Sequence, residues 1–237
     1  QKADSSRQLL YTVSFKGKEV ILKSELGVQI ENHLFESALG IPNDTLKHWG
    51  DNLELIGFDS AAVSEPWNPV YGERALVKNQ YRQLVLKFRK GSEEAGEMSH
   101  GYDRRRYYYM NIEVRAFNEG IAFRYHFPEA VNGLFLHITG ERTQFTLPEG
   151  TMAFHEVWAQ APFNLLTLKN WKDEAERPLT LILKNGLTVA LAEANMIDYA
   201  RGKFALSKTS ANTLQLSMYA SADIITPYNT PWRVIMA

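Results

Sequence analysis

The 237-residue chain balances 26 Lys and Arg against 27 Asp and Glu, for a net charge of −1, and it contains no cysteine. Such a balance sets up no global field toward nucleic acid or anionic lipid, and the lack of thiols excludes disulfides, thiolate metal sites and cysteine catalysis. With 45% hydrophobic and 22% charged residues the chain has the makings of a sizeable core, and its 12% aromatics favour strands.

Gln1-Lys2-Ala3-Asp4-Ser5-Ser6 is polar and reads as a mature terminus left after signal-peptide removal. No apolar run in the chain approaches the roughly 18 residues of a membrane span. Strands are predicted over Leu9–Phe15 and Glu19–Lys23, separated at Gly17-Lys18, and again over Gln83–Arg89. Ser92–Glu97 is polar all round and reads as a solvated loop. Asp103-Arg104-Arg105-Arg106 precedes three tyrosines in the manner of a nucleic-acid patch. Strand alternation would send those neighbours to opposite faces, so a solvated hairpin end is the better reading.

Tyr108, Met110, Ile112 and Val114 alternate, Asn118-Glu119-Gly120 supplies a turn, and Ile121, Phe123, Tyr125 and Phe127 continue the apolar face. Arg124 and His126 fall on the other side, which defines a hairpin with one buried face. A further strand is predicted over Gln144–Leu147. Leu179, Leu181 and Leu183 lead through Asn185-Gly186 into Leu187, Val189 and Leu191, and Asn-Gly predicts a type I′ turn there. Leu214–Tyr219 adds another strand. Many strands without alternating long helices predict an all-β fold, a large β-sandwich, and chains of this length form such sandwiches as one domain, here 1–237.

Few residues stand out chemically. Trp67, Tyr71 and Glu73 could form a sugar-facing platform, because pyranose rings stack on aromatic faces and carboxylates accept hydroxyl protons. A proline-rigidified corner that packs Trp67 into a core or domain interface is favoured over it. Trp232 is expected to anchor a domain junction in the same way. On its residues alone, Glu193 is a solvated glutamate just past the strand Leu187–Leu191, and Asn195 and Asp198 read as turn formers. The histidines at 33, 48, 100, 126, 137 and 155 show no metalloprotease spacing and read as surface or satisfied core groups. Asn43-Asp44-Thr45 matches a glycosylation sequon.

Several segments carry a family resemblance. Glu65-Pro66-Trp67-Asn68-Pro69-Val70-Tyr71-Gly72-Glu73 resembles a tryptophan–proline–tyrosine–glycine signature near the front of glycoside hydrolase family 97 proteins. Ile112 to Pro128, centred on Arg115–Tyr125, resembles hairpins of sugar-enzyme sandwich domains. Gly186–Tyr199, with Ala192-Glu193-Ala194-Asn195, resembles the strand end whose glutamate binds calcium in that family. Thr230–Ala237 resembles the junction at which the sandwich hands over to a (β/α)₈ barrel.

The resemblance implies a galactose-mutarotase-like sandwich that packs on its own C-terminal catalytic barrel. The carboxylates of α-glucoside or α-galactoside hydrolysis would lie in that barrel, leaving this chain inactive alone and some of its apolar surface uncovered. It implies that Glu193 lends oxygen to a Ca²⁺ shared with the barrel, since calcium takes six to eight oxygen ligands and one glutamate cannot hold it. Asn195, where relatives often show aspartate, weighs against a second acidic ligand. An oligosaccharide substrate and a periplasmic or secreted location also follow from the resemblance. Two rival readings stay open: an autonomous carbohydrate-binding module using Trp67 and Tyr71, and a sugar epimerase of the mutarotase type.

Overall fold

A computed structural model describes residues 8–31, 50–51, 53–91, 107–129 and 135–237. The polar N-terminus, the sequon, Ser92–Glu97, Asp103–Arg106 and His33, His48 and His100 lie outside the described residues.

The described residues form eighteen strands and one short 3₁₀ turn at Leu168–Asn170. In chain order the strands are β1 (Leu9–Phe15), β2 (Lys18–Leu26), β3 (Val28–Glu31), β4 (Glu54–Ser64), β5 (Gln80–Gly91) and β6 (Tyr107–Phe117). Next come β7 (Gly120–Phe127), β8 (Phe135–Glu141), β9 (Gln144–Thr146), β10 (Met152–His155), β11 (Asn164–Thr167) and β12 (Leu179–Ile182). The last are β13 (Thr188–Ala194), β14 (Gly202–Leu206), β15 (Thr213–Met218), β16 (Ala222–Ile225), β17 (Tyr228–Asn229) and β18 (Trp232–Met236).

They assemble into a ten-stranded sheet ordered β11-β10-β12-β13-β18-β7-β6-β5-β4, with β17 paired to β7. Two smaller sheets are ordered β1-β2-β9-β15-β14 and β16-β8-β3. The pairings are antiparallel throughout. The core divides the same way. Val20, Phe145, Phe204, Leu214 and Leu216 of the five-stranded sheet pack with Leu179, Leu181, Leu191 and Ile235 of the large one. Val28, Ile30, Leu136, Ile138 and Ile224 of the three-stranded sheet pack with Phe88, Met110, Ile112, Tyr125 and Phe127. The fold is thus the expected β-sandwich, with its second layer split into two small sheets.

The predicted hairpins form, with one exchange of turn type. Phe117 pairs with Gly120, closing β6 on β7 as the alternating pattern requires. At Asn185-Gly186 the expected type I′ turn does not form: Gly186 has φ 84 but Asn185 is not among the positive-φ residues. Gly186 N–H donates to Leu183 O and Leu183 N–H to Leu187 O, a three-residue turn that ends on a left-handed glycine. The Asn185 side chain instead ties the turn to β2, donating to Glu19 O at 2.9 Å. The turn with two positive φ angles is at Lys16 (48) and Gly17 (76), between β1 and β2.

Candidate functional site

Three chain passages cross between the three-stranded and five-stranded sheets, and two of them meet: Leu26-Gly27-Val28 and Glu141-Arg142-Thr143. At such a seam the ladder is interrupted, and buried backbone groups need other partners. Arg142 N–H donates to Gly27 O at 2.8 Å, and Gly27 N–H donates to the Tyr125 hydroxyl at 2.8 Å. Tyr125 also exchanges a 2.8 Å hydrogen bond with the Thr143 hydroxyl, which donates to Glu141 Oε2 at 2.9 Å.

Glu141 is buried, and its charge is balanced by Arg233, which is 1% exposed and bonds both carboxylate oxygens through Nη2 and Nε. The Tyr199 hydroxyl donates to Glu141 Oε1 at 2.9 Å. Burial pushes the Tyr125 and Tyr199 hydroxyls well above the ordinary tyrosine value, and the Glu141 charge adds to it. For Arg233 burial opposes the charge, but Glu141 and then Glu193 outweigh it and hold the guanidinium ionised.

Arg233 carries the network on to the sequence-predicted residue. Its Nη1 pairs with Glu193 Oε1, and Arg177 Nε pairs with Glu193 Oε2. Gly202 N–H donates to the same Oε2 at 2.9 Å. Glu193 therefore does not stand beyond the strand as a solvated carboxylate: it lies within β13, opposite Arg233, with its side chain 3% exposed. Arg177 Nη1 also reaches Glu176 Oε2 at 3.2 Å. Glu176 Oε1 lies 3.3 Å from Arg201 Nη2 and 3.2 Å from Lys203 Nζ, yet that buried atom makes no hydrogen bond.

This arrangement does not by itself fit a calcium ion. Among the described residues no group of three or more His, Asp or Glu is placed to hold a metal. Both oxygens of Glu193 already face guanidinium donors, and calcium requires several further oxygens. Asn195 and Asp198 act as turn residues, with φ 56 and 49 in the left-handed region that short polar side chains tolerate.

Exposed apolar side chains lie on segments that border the charged cluster. Glu176 N–H donates to Glu156 O and Lys203 Nζ donates to Val157 O, which pins the β10–β11 connection beside Glu176. That connection exposes Trp158 and Phe163, while Met196 and Ile197 are exposed just after Glu193. Tyr219 is exposed beneath the Arg201 guanidinium, 4.7 Å from the ring centroid.

The other predicted residues lie elsewhere. The Trp67–Val77 bridge holds an arm between β4 and β5, five strands across the sheet from Glu193. At roughly 4.8 Å per strand that is about 24 Å. Trp67 is 53% and Tyr71 91% exposed, and Glu73 is exposed too, so the expected packing of Trp67 into a core is absent here. Trp232 is buried beneath the Arg115 and Arg124 guanidiniums at 4.6 and 4.3 Å, beside a groove of about 330 Å³ on the outer sheet face. His126 contacts Tyr228 O at 3.2 Å, while buried His155 leaves Nε2 without a partner and meets Trp171 edge-on. The expectation of a satisfied core histidine fails at that atom.

Sequence reasoning missed Glu141, Glu176, Arg177 and Arg233. A usable signal existed for one of these, Arg233, and for its pairing with Glu193. The parity that buries Val189 and Leu191 also buries Glu193, and the parity of Ile235 also buries Arg233. A carboxylate and a guanidinium on core faces call for each other.

Comparison with known proteins gives a consistent picture. A glycoside hydrolase family 97 enzyme from Pseudoalteromonas sp. strain K8, solved also with panose and with acarbose, superposes with TM-score 0.78 at 20% identity, covering 99% of this chain and 33% of that one. A beta-arabinopyranosidase superposes with TM-score 0.74 at 16% identity over 98% of this chain and 37% of its own. A retaining alpha-galactosidase of Bacteroides thetaiotaomicron is 23% identical over 118 residues, half of this chain and 13% of that protein. The chain thus spans about a third of the length of these solved relatives. Residues 2–237 match the family described as Glycosyl-hydrolase 97 N-terminal, and the chain belongs to that family.

Proposed function

We propose that this chain is the non-catalytic N-terminal domain of a family 97 α-glycosidase and that it packs on the catalytic barrel through the end of the sandwich that carries Glu193. The observation that carries this reading is the exposure of Trp158, Phe163, Met196, Ile197 and Tyr219 on segments that border a buried charge cluster. Apolar residues around a desolvated polar centre are how stable interfaces exclude water. Substrates would be α-glucosides or α-galactosides, reached in the periplasm or outside the cell.

The calcium role expected of Glu193 belongs to the proposal only with oxygens supplied by the catalytic domain, because the described residues do not fit the ion alone. Hydrolysis of aryl α-glucosides and α-galactosides tests the reading on the full-length enzyme, on its Glu193→Gln variant and on this chain. Turnover by the full-length enzyme only, lost with chelator and reduced in the variant, is the expected result. Turnover by the isolated chain would defeat it.

A carbohydrate-binding module remains a second reading because Trp67 and Tyr71 are exposed together on one arm. Titration of malto- and galacto-oligosaccharides into the isolated chain separates the two, since a packing domain gives no heat.

A further inference from the structure

We infer that the groove beside Trp232 is a receptor for one carboxylate carried on an apolar segment, with Arg115 as its cation, and that a segment of the catalytic domain fills it. The inference rests on the proposed packing of this chain on a catalytic domain, and adds where and by what chemistry part of that contact is made. Ladder pairing sets Arg115 opposite Ala122 and Ala122 opposite Val234, so the three share the sheet face that turns away from the core. Gly120 pairs with Met236 on one side of that row, and Ala194 with Trp232 near the other. The small residues at 120, 122 and 194 leave a trough of about 330 Å³ beside Phe117, Trp232, Val234 and Met236.

Arg115 and Arg124 both face the Trp232 ring, at 4.6 and 4.3 Å, but they are matched differently. Arg124 is neutralised by Glu113, whose Oε2 lies 2.7 Å from both Nε and Nη2. Arg115 faces no carboxylate among the described residues. Its Nε donates to the Gln83 side-chain oxygen at 3.1 Å, and its guanidinium also packs on Tyr81 at 4.5 Å, which leaves both η nitrogens without an acceptor. A guanidinium held by two rings and an amide has little freedom left to lose when its open fork meets a planar carboxylate. Glu119, exposed in the β6–β7 turn, also lines the trough but makes no ion pair with Arg115. The apolar lining speaks against a sugar as occupant, because hydroxyls desolvated there would find few partners. The trough is continuous with the proposed packing end, since the Ala194–Trp232 pair is one step along the ladder from Glu193–Arg233. An acidic side chain among apolar neighbours on the catalytic domain therefore fits it.

The test is methionine-methyl NMR of this chain, with the Met236 signal assigned by its loss in Met236→Leu. Hexanoate, a carboxylate on a short apolar tail, is titrated at constant ionic strength, and hexanamide is the neutral control. Hexanoate is expected to move the Met236 signal saturably, with a dissociation constant on the order of 10 mM for a ligand of this size. Hexanamide is expected to bind at least about fivefold more weakly, and Arg115→Gln to remove that difference. In the full-length enzyme the same signal should not respond, because the groove is filled. A Met236 signal that hexanoate leaves unmoved in the wild-type chain, or that hexanamide moves equally, overturns the inference even should Arg115→Gln fail to fold. A carboxylate preference that persists in Arg115→Gln overturns it as well. So does a response in the full-length enzyme equal to that of the chain, which would leave the groove as a receptor for free carboxylates. None of these results touches the proposed function, which stands or falls on the activity assays.

Discussion

The Glu193 end and the Trp67 arm are both places where the sequence shows unusual residues, and the fold treats them in opposite ways. Around Glu193, charged groups are drawn inside and paired with opposite charges, from Glu141 through Arg233 and Arg177 to Glu176. Along the arm, aromatic groups are left outside, with Val70 99% and Tyr71 91% exposed. Buried ions cost several kcal/mol each to desolvate, so such a cluster persists only if removing any member costs more. An exposed arm holds no such energy, and its residues are free to serve an interface. The contrast places mutually dependent buried charges at one end of the molecule and substitutional freedom at the other.

The sharpest way to break the comparison is at the deepest ion. Glu141→Ala leaves Arg233 charged and buried with Glu193 as its remaining ion-pair partner, and should cost about 3–5 kcal/mol of stability, as for other broken buried pairs. Urea unfolding followed by tryptophan fluorescence measures this, and a loss below about 1 kcal/mol would show that the network contributes little. Next in size is Tyr125→Phe. Gly27 N–H then loses its acceptor inside the core, for an expected loss of about 1–3 kcal/mol.

Alkaline pH probes the same region. Burial raises the hydroxyl pKa of Tyr11, Tyr125 and Tyr199 well above the ordinary value, and burial with the Asp198 charge pushes Tyr228 up to about 12. A raised folded pKa means that the native state holds the proton more tightly than the unfolded chain does. The contribution is complete below the unfolded value of about 10 and is lost as pH rises through the raised folded values, about 12 for Tyr228. Absorbance at 295 nm follows tyrosine ionisation as the pH is raised. These four should ionise only together with loss of near-ultraviolet circular dichroism.

The same contrast explains what was legible in the sequence. Strands with strict alternation, such as Ile121–Phe127 and Leu179–Leu183, declare themselves because one face is apolar and the other is not. β4 does not: Leu55, Ile56 and Phe58 are all exposed, so no period marks its buried side. β3, β16 and β17 are too short to carry a period. Glu193 was visible as a residue of interest, but its environment was not, because its partners come from residues 16 and 40 positions away in the chain. Arg177 gave no local signal, since ion pairing across strands leaves no spacing rule in one sequence. Trp67, expected to pack into a core or a domain interface, is in neither core, and the arm that carries it leaves the ring exposed.

The smallest expected effect is on that arm, and it tests the comparison from the other side. Trp67→Ala and Tyr71→Ala each remove a large side chain, which in either core would cost about 3–5 kcal/mol. Neither ring belongs to a core, and Tyr71 has almost no neighbouring surface to lose. Tyr71→Ala should therefore change stability by less than about 0.5 kcal/mol. Trp67→Ala should cost slightly more, because about half of the residue is covered. The informative result is the pair of measurements together. If unfolding is unchanged while association with the catalytic domain weakens, the arm is a docking element that the fold does not need. If Tyr71→Ala destabilises the isolated chain by more than about 1 kcal/mol, the arm packs on something within the chain, and the division between a matched interior and a free arm fails.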